Sequence, residues 1–500
     1  MRLRVTLLLG SLAVAACSDR PHYLPIDASV DAAVDGSTDD GDAAAIDAAV
    51  DGAIDAAVFD ASIDASVPPS LIVPDFNGDG YADVIVGAAG NDAGGSGAGR
   101  VYIYFGAPGG TINTTADGIL TGAAASDGFG DSVASAGDVN GDGYTDVIVG
   151  APGSASSAGR AYIYLGGPGA SFDTTADSVI ATVAGDVLGK SVASAGDVNG
   201  DGYADVVVGA IGNDAGGLNA GRAYVYFGGS GGTFDPVADG TLTGAAGGDA
   251  FGIVSSAGDV NGDTYDDIIV GAVSNDAGGT NAGSAYVYLG GAGATFNSTA
   301  DGILVGAGTA TQLGKSVASA GDVNMDGYAD VVVGAPTTGE GSAYVYLGGA
   351  GATFNSTADG TLTGAATGDQ FGFSVAPAGD VNGDGYADIV VGANTAGAEG
   401  AGRAYVYLGG PGGTFNATAD GTLVGAIAGD GFGVSVSSAG DVNSDDYDDV
   451  VVGALNNDAG GTDAGRAYLY LGGEGITFNA AVDGTLTGAA AGDRFGQSVN

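Results

Sequence analysis

Short apolar runs recur along the chain roughly every 60 residues, and each keeps the same neighbours. The run Asp205-Val206-Val207-Val208-Gly209 is continuously apolar, which implies a strand buried on both faces. After it comes an alternating segment, Ala223-Tyr224-Val225-Tyr226-Phe227-Gly228, whose two tyrosines at period two share one face of a strand. A Gly-Thr-Leu-Thr-Gly piece follows at 240–244. A stretch of small residues, as in Phe129-Gly130-Asp131-Ser132-Val133-Ala134-Ser135, precedes the continuous run. Four strand-like pieces per unit, repeated seven times, predict an all-β fold. The expected architecture is a seven-bladed β-propeller of four-stranded antiparallel blades. Small residues in the first strand suit a crowded central axis.

Between the small-residue strand and the apolar run lies a nonapeptide, Asp138-Val139-Asn140-Gly141-Asp142-Gly143-Tyr144-Thr145-Asp146. It recurs with first residues at 75, 138, 197, 259, 322, 380 and 441, spaced by 63, 59, 62, 63, 58 and 61 residues. Oxygen-bearing side chains at positions 1, 3, 5 and 9 suit a hard cation, and Ca²⁺ takes six to eight oxygens from a short loop. Gly143, at position 6, permits the sharp turn that returns Asp146 to the ion. A single Asp/Asn/Gly cluster would be plain turn chemistry; seven copies in fixed context point to calcium. The side-chain ligands are then Asp75, Asn77, Asp79 and Asp83; Asp138, Asn140, Asp142 and Asp146; Asp197, Asn199, Asp201 and Asp205; and Asp259, Asn261, Asp263 and Asp267. The last three loops supply Asp322, Asn324, Asp326 and Asp330; Asp380, Asn382, Asp384 and Asp388; and Asp441, Asn443, Asp445 and Asp449. Up to seven Ca²⁺ ions are expected. Thr264 and Asp446 replace the position-6 glycine, and a β-branched residue tolerates positive φ poorly, so the Asp259 site should be the weakest.

Composition sharpens this picture. With 100 glycines in 500 residues the chain looks fibrous or disordered, but 45% of it is hydrophobic and no Gly-X-Y period exists. Glycine at that level fits many short strands joined by tight turns. A net charge of −49 argues against nucleic acid and against charge-driven docking on anionic lipid. The N-terminus reads as an export signal over 1–16, with Arg2 and Arg4 ahead of an apolar core from Val5 to Ala16 that is too short to span a bilayer. Val14-Ala15-Ala16-Cys17 resembles a bacterial lipobox, which makes Cys17 a candidate lipidation site and places the protein at the outer membrane or cell surface. Residues 17–69 are rich in Asp and Ala and read as a disordered acidic stalk, roughly 40 Å across by chain statistics. The propeller is assigned to 70–500 and is expected to be a monomer.

The repeats resemble the FG-GAP repeats of the integrin α-chain propeller. Phe-Gly stands at 129, 251, 371, 432 and 495, and Gly-Ala-Pro at 150–152 and 334–336; Leu188 and Leu313 replace the phenylalanine in two units. The resemblance covers about residues 70–500. It implies that the carbonyl of position 7 joins each calcium site: Tyr81, Tyr144, Tyr203, Tyr265, Tyr328, Tyr386 and Tyr447. It also implies a binding or adhesion module for a protein or glycan ligand. The alternatives are a carbohydrate-active enzyme or lectin-like polysaccharide binder, and a scaffold without a specific ligand.

The propeller segment contains no histidine and no cysteine, and His22 is the chain's single histidine, so Ser-His-Asp, Cys-His and zinc chemistry are excluded within the chain. Carboxylate-only glycoside hydrolysis remains open, but nearly all the patterned aspartates are committed to the loops and no unique pair stands out beyond them. Arg100, Arg160, Arg222, Arg403 and Arg466 recur before the tyrosine strand, with Ser284 and Ser342 in their place in two units. They are expected to pair with nearby carboxylates, the other reading being a ring for anionic sugars. The Asn-Asp pairs at 91, 213, 275 and 457 are expected to form turns. Aligned on the loops, the first unit has Ser66 to Leu71, including Pro68-Pro69, where the others have their Phe-Gly strand, while Phe495-Gly496-Gln497-Ser498-Val499-Asn500 is an orphan copy. The orphan is predicted to close the ring beside the first unit's apolar strand.

Overall fold

The computed structural model describes residues 74–109, 112–413 and 415–500. The export signal, Cys17, the acidic stalk and Pro68-Pro69 lie outside the described residues. The described chain forms seven four-stranded antiparallel sheets, six of them simple meanders and the first completed by a strand from the C-terminus. In the second blade the strands are Ser132–Gly137, Asp146–Ala151, Arg160–Tyr164 and Ser178–Ala181. Every residue of the second strand is buried, as continuous apolarity requires, whereas the outermost strand alternates buried and exposed. Register runs Ala134 to Ile148, Ile148 to Ile163 and Ala161 to Ile180.

The core lies between blades. Phe129 is buried against Ile85, Val101, Ile103 and Leu120 of the first blade and Val133, Val147 and Val149 of its own. The two same-face tyrosines supply the other wall: Tyr162 and Tyr164 stand 5.4 and 6.4 Å from the Phe129 ring centroid. Burying one such ring is worth roughly 1.5–3 kcal/mol, so seven seams hold the ring by ordinary hydrophobic burial. Inner strands of neighbouring blades run close together, and serine hydroxyls stitch them: Val192 N–H donates to Ser132 Oγ (3.1 Å), Val254 to Ser191 (3.0 Å) and Val375 to Ser316 (3.0 Å). Small residues permit that approach.

One expectation needs refinement. The sequence places the Phe-Gly pair on the inner strand; four blades keep it there, from Leu188, Phe251, Phe371 and Phe432, while in the first, second and fifth blades the ladder begins after it. Phe129 makes a single parallel bridge to Gly99 of the preceding blade, and Gly130 sits at φ +84°, which breaks the extended run. Where the strand does include the pair, as at Phe371, the register shifts immediately afterwards.

The ring closes through the C-terminal residues. Val499 pairs with Val86 and Ser498 with Gly87, beside the first blade's apolar strand Val84–Ala88. Phe495 is buried against Tyr102 and Tyr104 on one side and blade-seven residues such as Val451 and Leu469 on the other. Its rings lie 5.3 and 6.5 Å from those tyrosines, so the closing seam copies the internal ones.

Candidate metal centre

Six of the nonapeptides join an inner strand to the second strand, and the first leads into the second strand of its blade, so all seven share one end of the ring. In the second loop, Asp138 Oδ1 accepts hydrogen bonds from the N–H groups of Gly141 (2.7 Å) and Asp142 (3.1 Å), and Oδ2 accepts one from Gly143 (2.8 Å). Asn140 Oδ1 accepts from Asp142 N–H (2.9 Å), and its Nδ2 donates to Asp142 Oδ2 (2.8 Å). Asp142 Oδ1 accepts from Tyr144 N–H (3.0 Å). The loop is thus an acidic side-chain scaffold around its own backbone donors.

Position 9 has a second task that its ligand assignment did not include. Asp146 is fully buried; its Oδ2 accepts from Val139 N–H (2.9 Å) and its Oδ1 from Gly166 N–H (2.8 Å), beyond the third strand. All seven blades repeat this staple, for example Asp83 with Phe76 and Gly106, and Asp388 with Val381 and Gly409. Burial pushes the Asp146 carboxyl up to about 7; its two backbone donors oppose the rise, and Asp142 and Asp138 add to it. Asp330 behaves alike, and Asp83, Asp205, Asp267, Asp388 and Asp449 are pushed up to about 8 by the same causes.

Two observations bear on whether a cation fits. The carboxylates of positions 1 and 5 act on the buried one in every loop, and the ion pair seen among the described residues, Lys190 with Asp131, lies elsewhere. In the seventh loop Asn443 Oδ1, a position-3 oxygen, is buried without a hydrogen-bond partner. The described residues hold no preformed cluster of three or more His, Cys, Asp or Glu side chains, because the position-9 carboxylate is turned onto backbone N–H groups. The donor set is nonetheless all oxygen and negatively charged with no cationic side chain against it, which fits a hard cation. At position 6, Thr264 and Asp446 adopt φ +75° and +71°, close to Gly143 at +89°. Thr264 N–H still reaches Asp259 Oδ2 at 2.8 Å, so the loop forms with a strained β-branched residue in it.

The loops are welded to one another. Thr145 N–H donates to the Asp75 carbonyl of the preceding loop (3.1 Å), Ala204 to Asp138 (3.0 Å), and Ala82 to Asp441 across the closing seam (3.0 Å). The Tyr144 ring lies over Gly78, where an added Cβ would stand 2.6 Å from Cε1; Tyr203 covers Gly141 in the same way. The recurrence of tyrosine at position 7 was visible in the sequence, but its use against the neighbouring loop was not.

Two further readings change. The patterned aspartates are not confined to the loops. Asp117, Asp239 and Asp420, each just before an outer strand, accept from Phe105, Phe227 and Leu408 N–H at 2.9, 2.8 and 3.0 Å. Asp127 and Asp369 cap the turn before the Phe-Gly pair through Ala124 and Ala366 N–H, both at 2.9 Å. Among the described residues the arginines form no ion pair with a carboxylate: Arg100, Arg222 and Arg466 donate from Nε to Thr121, Thr243 and Thr487 hydroxyls at 3.2, 3.2 and 3.1 Å, and Arg403 reaches the Tyr405 hydroxyl. Each of those threonines faces its arginine across the ladder, while the aspartates are held by backbone donors. The Asn-Asp pairs do make turns, with Asn457 Nδ2 also bridging Asp430 (2.6 Å) and the Tyr468 hydroxyl (3.3 Å).

The FG-GAP repeat family matches residues 67–104, 129–164, 313–346, 371–407 and 432–470, and an FG-GAP-like repeat matches 197–270. The chain belongs to the FG-GAP repeat family. Integrin alpha-3 of Cricetulus griseus is 35% identical over 164 residues, covering 31% of this chain and 15% of that protein. Integrin alpha-8 of Mus musculus is 36% identical over 147 residues, 27% of this chain and 14% of that protein. The matched stretch therefore spans about a seventh of those relatives' length. A rhamnogalacturonan lyase of Bacillus licheniformis shows 12% identity and a TM-score of 0.28 over 81% of this chain and 66% of that one, too distant to carry an argument.

The packing of the FG-GAP propeller explains both halves of the motif. Gly130 of one blade's Phe-Gly presents its carbonyl to Gly87 of the preceding blade, where a Cβ would stand 2.1 Å away; Gly150 meets Gly189 likewise at 2.0 Å. Only a residue without a side chain fits either position.

Proposed function

We propose that this FG-GAP propeller is a surface-anchored binding or adhesion module whose seven loops take Ca²⁺ as a folding component, with a protein or glycan as its ligand. The observation that carries the calcium reading is the buried position-9 carboxylate, repeated seven times, pushed up by burial and crowded by two more carboxylates. A cation held by positions 1, 3, 5 and 9 and the position-7 carbonyl would neutralise that cluster, and Asn443 Oδ1 is already free to receive it. Kinship with integrin alpha chains supports binding over catalysis. The remaining patterned aspartates support it too, since backbone donors occupy them. Anchoring rests on Cys17 and the lipobox-like residues before it. Thermal melts with Ca²⁺ and with EGTA test the calcium reading, and coincident curves would sink it. Capture of surface proteins and glycans with and without chelator tests the binding reading; release of sugar from purified polysaccharides would replace it with the enzyme. Cys17→Ser should move the protein from the membrane fraction to the soluble exported fraction.

A further inference from the structure

At the end of the ring opposite the loops, the residue after each Phe-Gly or Leu-Gly pair stands at or just before the start of an inner strand. Unlike the loops, these positions do not repeat. Across blades one to three they are Gln497, Asp131 and Lys190; Gln497 Nε2 donates to Asp131 Oδ1, and Lys190 Nζ lies 2.6 Å from Asp131 Oδ2. Across blades four to seven they are Ile253, Lys315, Phe373 and Val434, all half-buried. Lys315 Nζ sits 5.0 Å from the Phe373 ring centroid, and no carboxylate of the described residues pairs with it. Burial lowers the Lys315 pKa, and the like charge of Lys190 lowers it further although their blades are not adjacent. These are the only two lysines in a chain of net charge −49. A half-polar, half-apolar mouth therefore holds one paired and one unpaired ammonium group.

We propose that this mouth binds a small organic carboxylate with an apolar body: Lys315 takes the carboxylate, and Phe373, Ile253 and Val434 hold the apolar part. The like charge of the rest of the chain repels polyanions, so a compact ligand with a single carboxylate is favoured over an extended acidic polymer. Desolvation at a half-buried ammonium strengthens the pairing, and the apolar wall adds burial. The site stands on these residues whether or not the propeller also binds a macromolecular partner.

Phenylpropionate and its neutral amide, titrated against the full calcium-supplemented chain by ligand-observed NMR, distinguish charge recognition from apolar contact. The acid should bind about tenfold or more tightly than the amide. Lys315→Met should abolish that preference and Lys315→Arg should retain it, while Phe373→Ala should weaken acid and amide alike. Melting curves of each variant establish that it is folded before titration. Equal binding of acid and amide, no binding of either, or an undiminished preference in folded Lys315→Met would overturn the proposal.

Discussion

The two ends of the ring are built from the same seven inner strands and follow different rules. At the loop end every blade presents the same acidic side chains and the same buried staple, and five place the position-7 tyrosine over a glycine of the neighbouring loop. At the other end the equivalent positions hold an acid, an amide, two lysines and three apolar side chains. Repetition at one end means that its residues answer a need common to all blades: closing a hairpin and joining the next one. Departure from repetition at the other end means that backbone geometry leaves those positions open. The first end is where stability should respond to chemistry, and the second is where selectivity can reside.

Removing cations should separate the ends most. Burial pushes the seven position-9 carboxyls up to about 7 or about 8 in the folded, metal-free protein, against an ordinary value of about 3.9 when unfolded. Between these values the native state holds more protons than the unfolded one. The stabilisation is therefore complete below about pH 4 and is lost as pH rises towards 8. Chelated protein should melt at falling temperature from pH 5 to pH 8, and added Ca²⁺ should raise the melting temperature most at the upper limit. Each site held at a hundredfold excess over its Kd adds about 2.7 kcal/mol. A metal-free melting temperature that rises over this window would contradict the assignment. Next in size, Phe495→Ala should cost about 3–5 kcal/mol, as should Phe251→Ala at an internal seam. Denaturant midpoints compare the two, and a much smaller loss at 495 would mean that the closing seam is weaker than its neighbours.

Within the loop end, Asp142→Ala should lower the melting temperature more than Asp263→Ala, because the Thr264 loop already carries strain. Thr264→Gly should recover roughly 1 kcal/mol in the metal-free protein by relieving the positive φ. The smallest effect belongs to the other end. Lys190→Met leaves Asp131 with Gln497 and removes a partly exposed ion pair, so stability should change by no more than about 1 kcal/mol. A large loss there would show that the Lys190–Asp131 pair is structural after all.

Much of the fold was readable because its rules are local. Val206 to Val208 are buried on both faces because nothing polar interrupts them, and Tyr224 and Tyr226 share a face because strands have period two. The orphan Phe495-Gly496 was recognisable as the first blade's missing piece because repeats expose an absence. The uses of the aspartates were not readable. Asp146 as a staple depends on Gly166 coming within 2.8 Å, and Asp117 on Phe105, and neither return path is written in spacing alone. The arginines misled for a related reason. A charge suggests an opposite charge, but the ladder places Thr121 opposite Arg100 and the buried carboxylates are already satisfied.

By itself the sequence determined the strand class, the count of seven and the oxygen-rich loops, since each follows from side-chain period or from chemistry packed into nine residues. Tertiary structure decided which residues meet across blades from distant parts of the chain: Tyr144 on Gly78, Gly130 against Gly87, and Lys190 on Asp131. Those meetings depend on the rotation that carries one sheet onto the next. Only the closed ring sets that rotation, because its seven seams must all be buried at once.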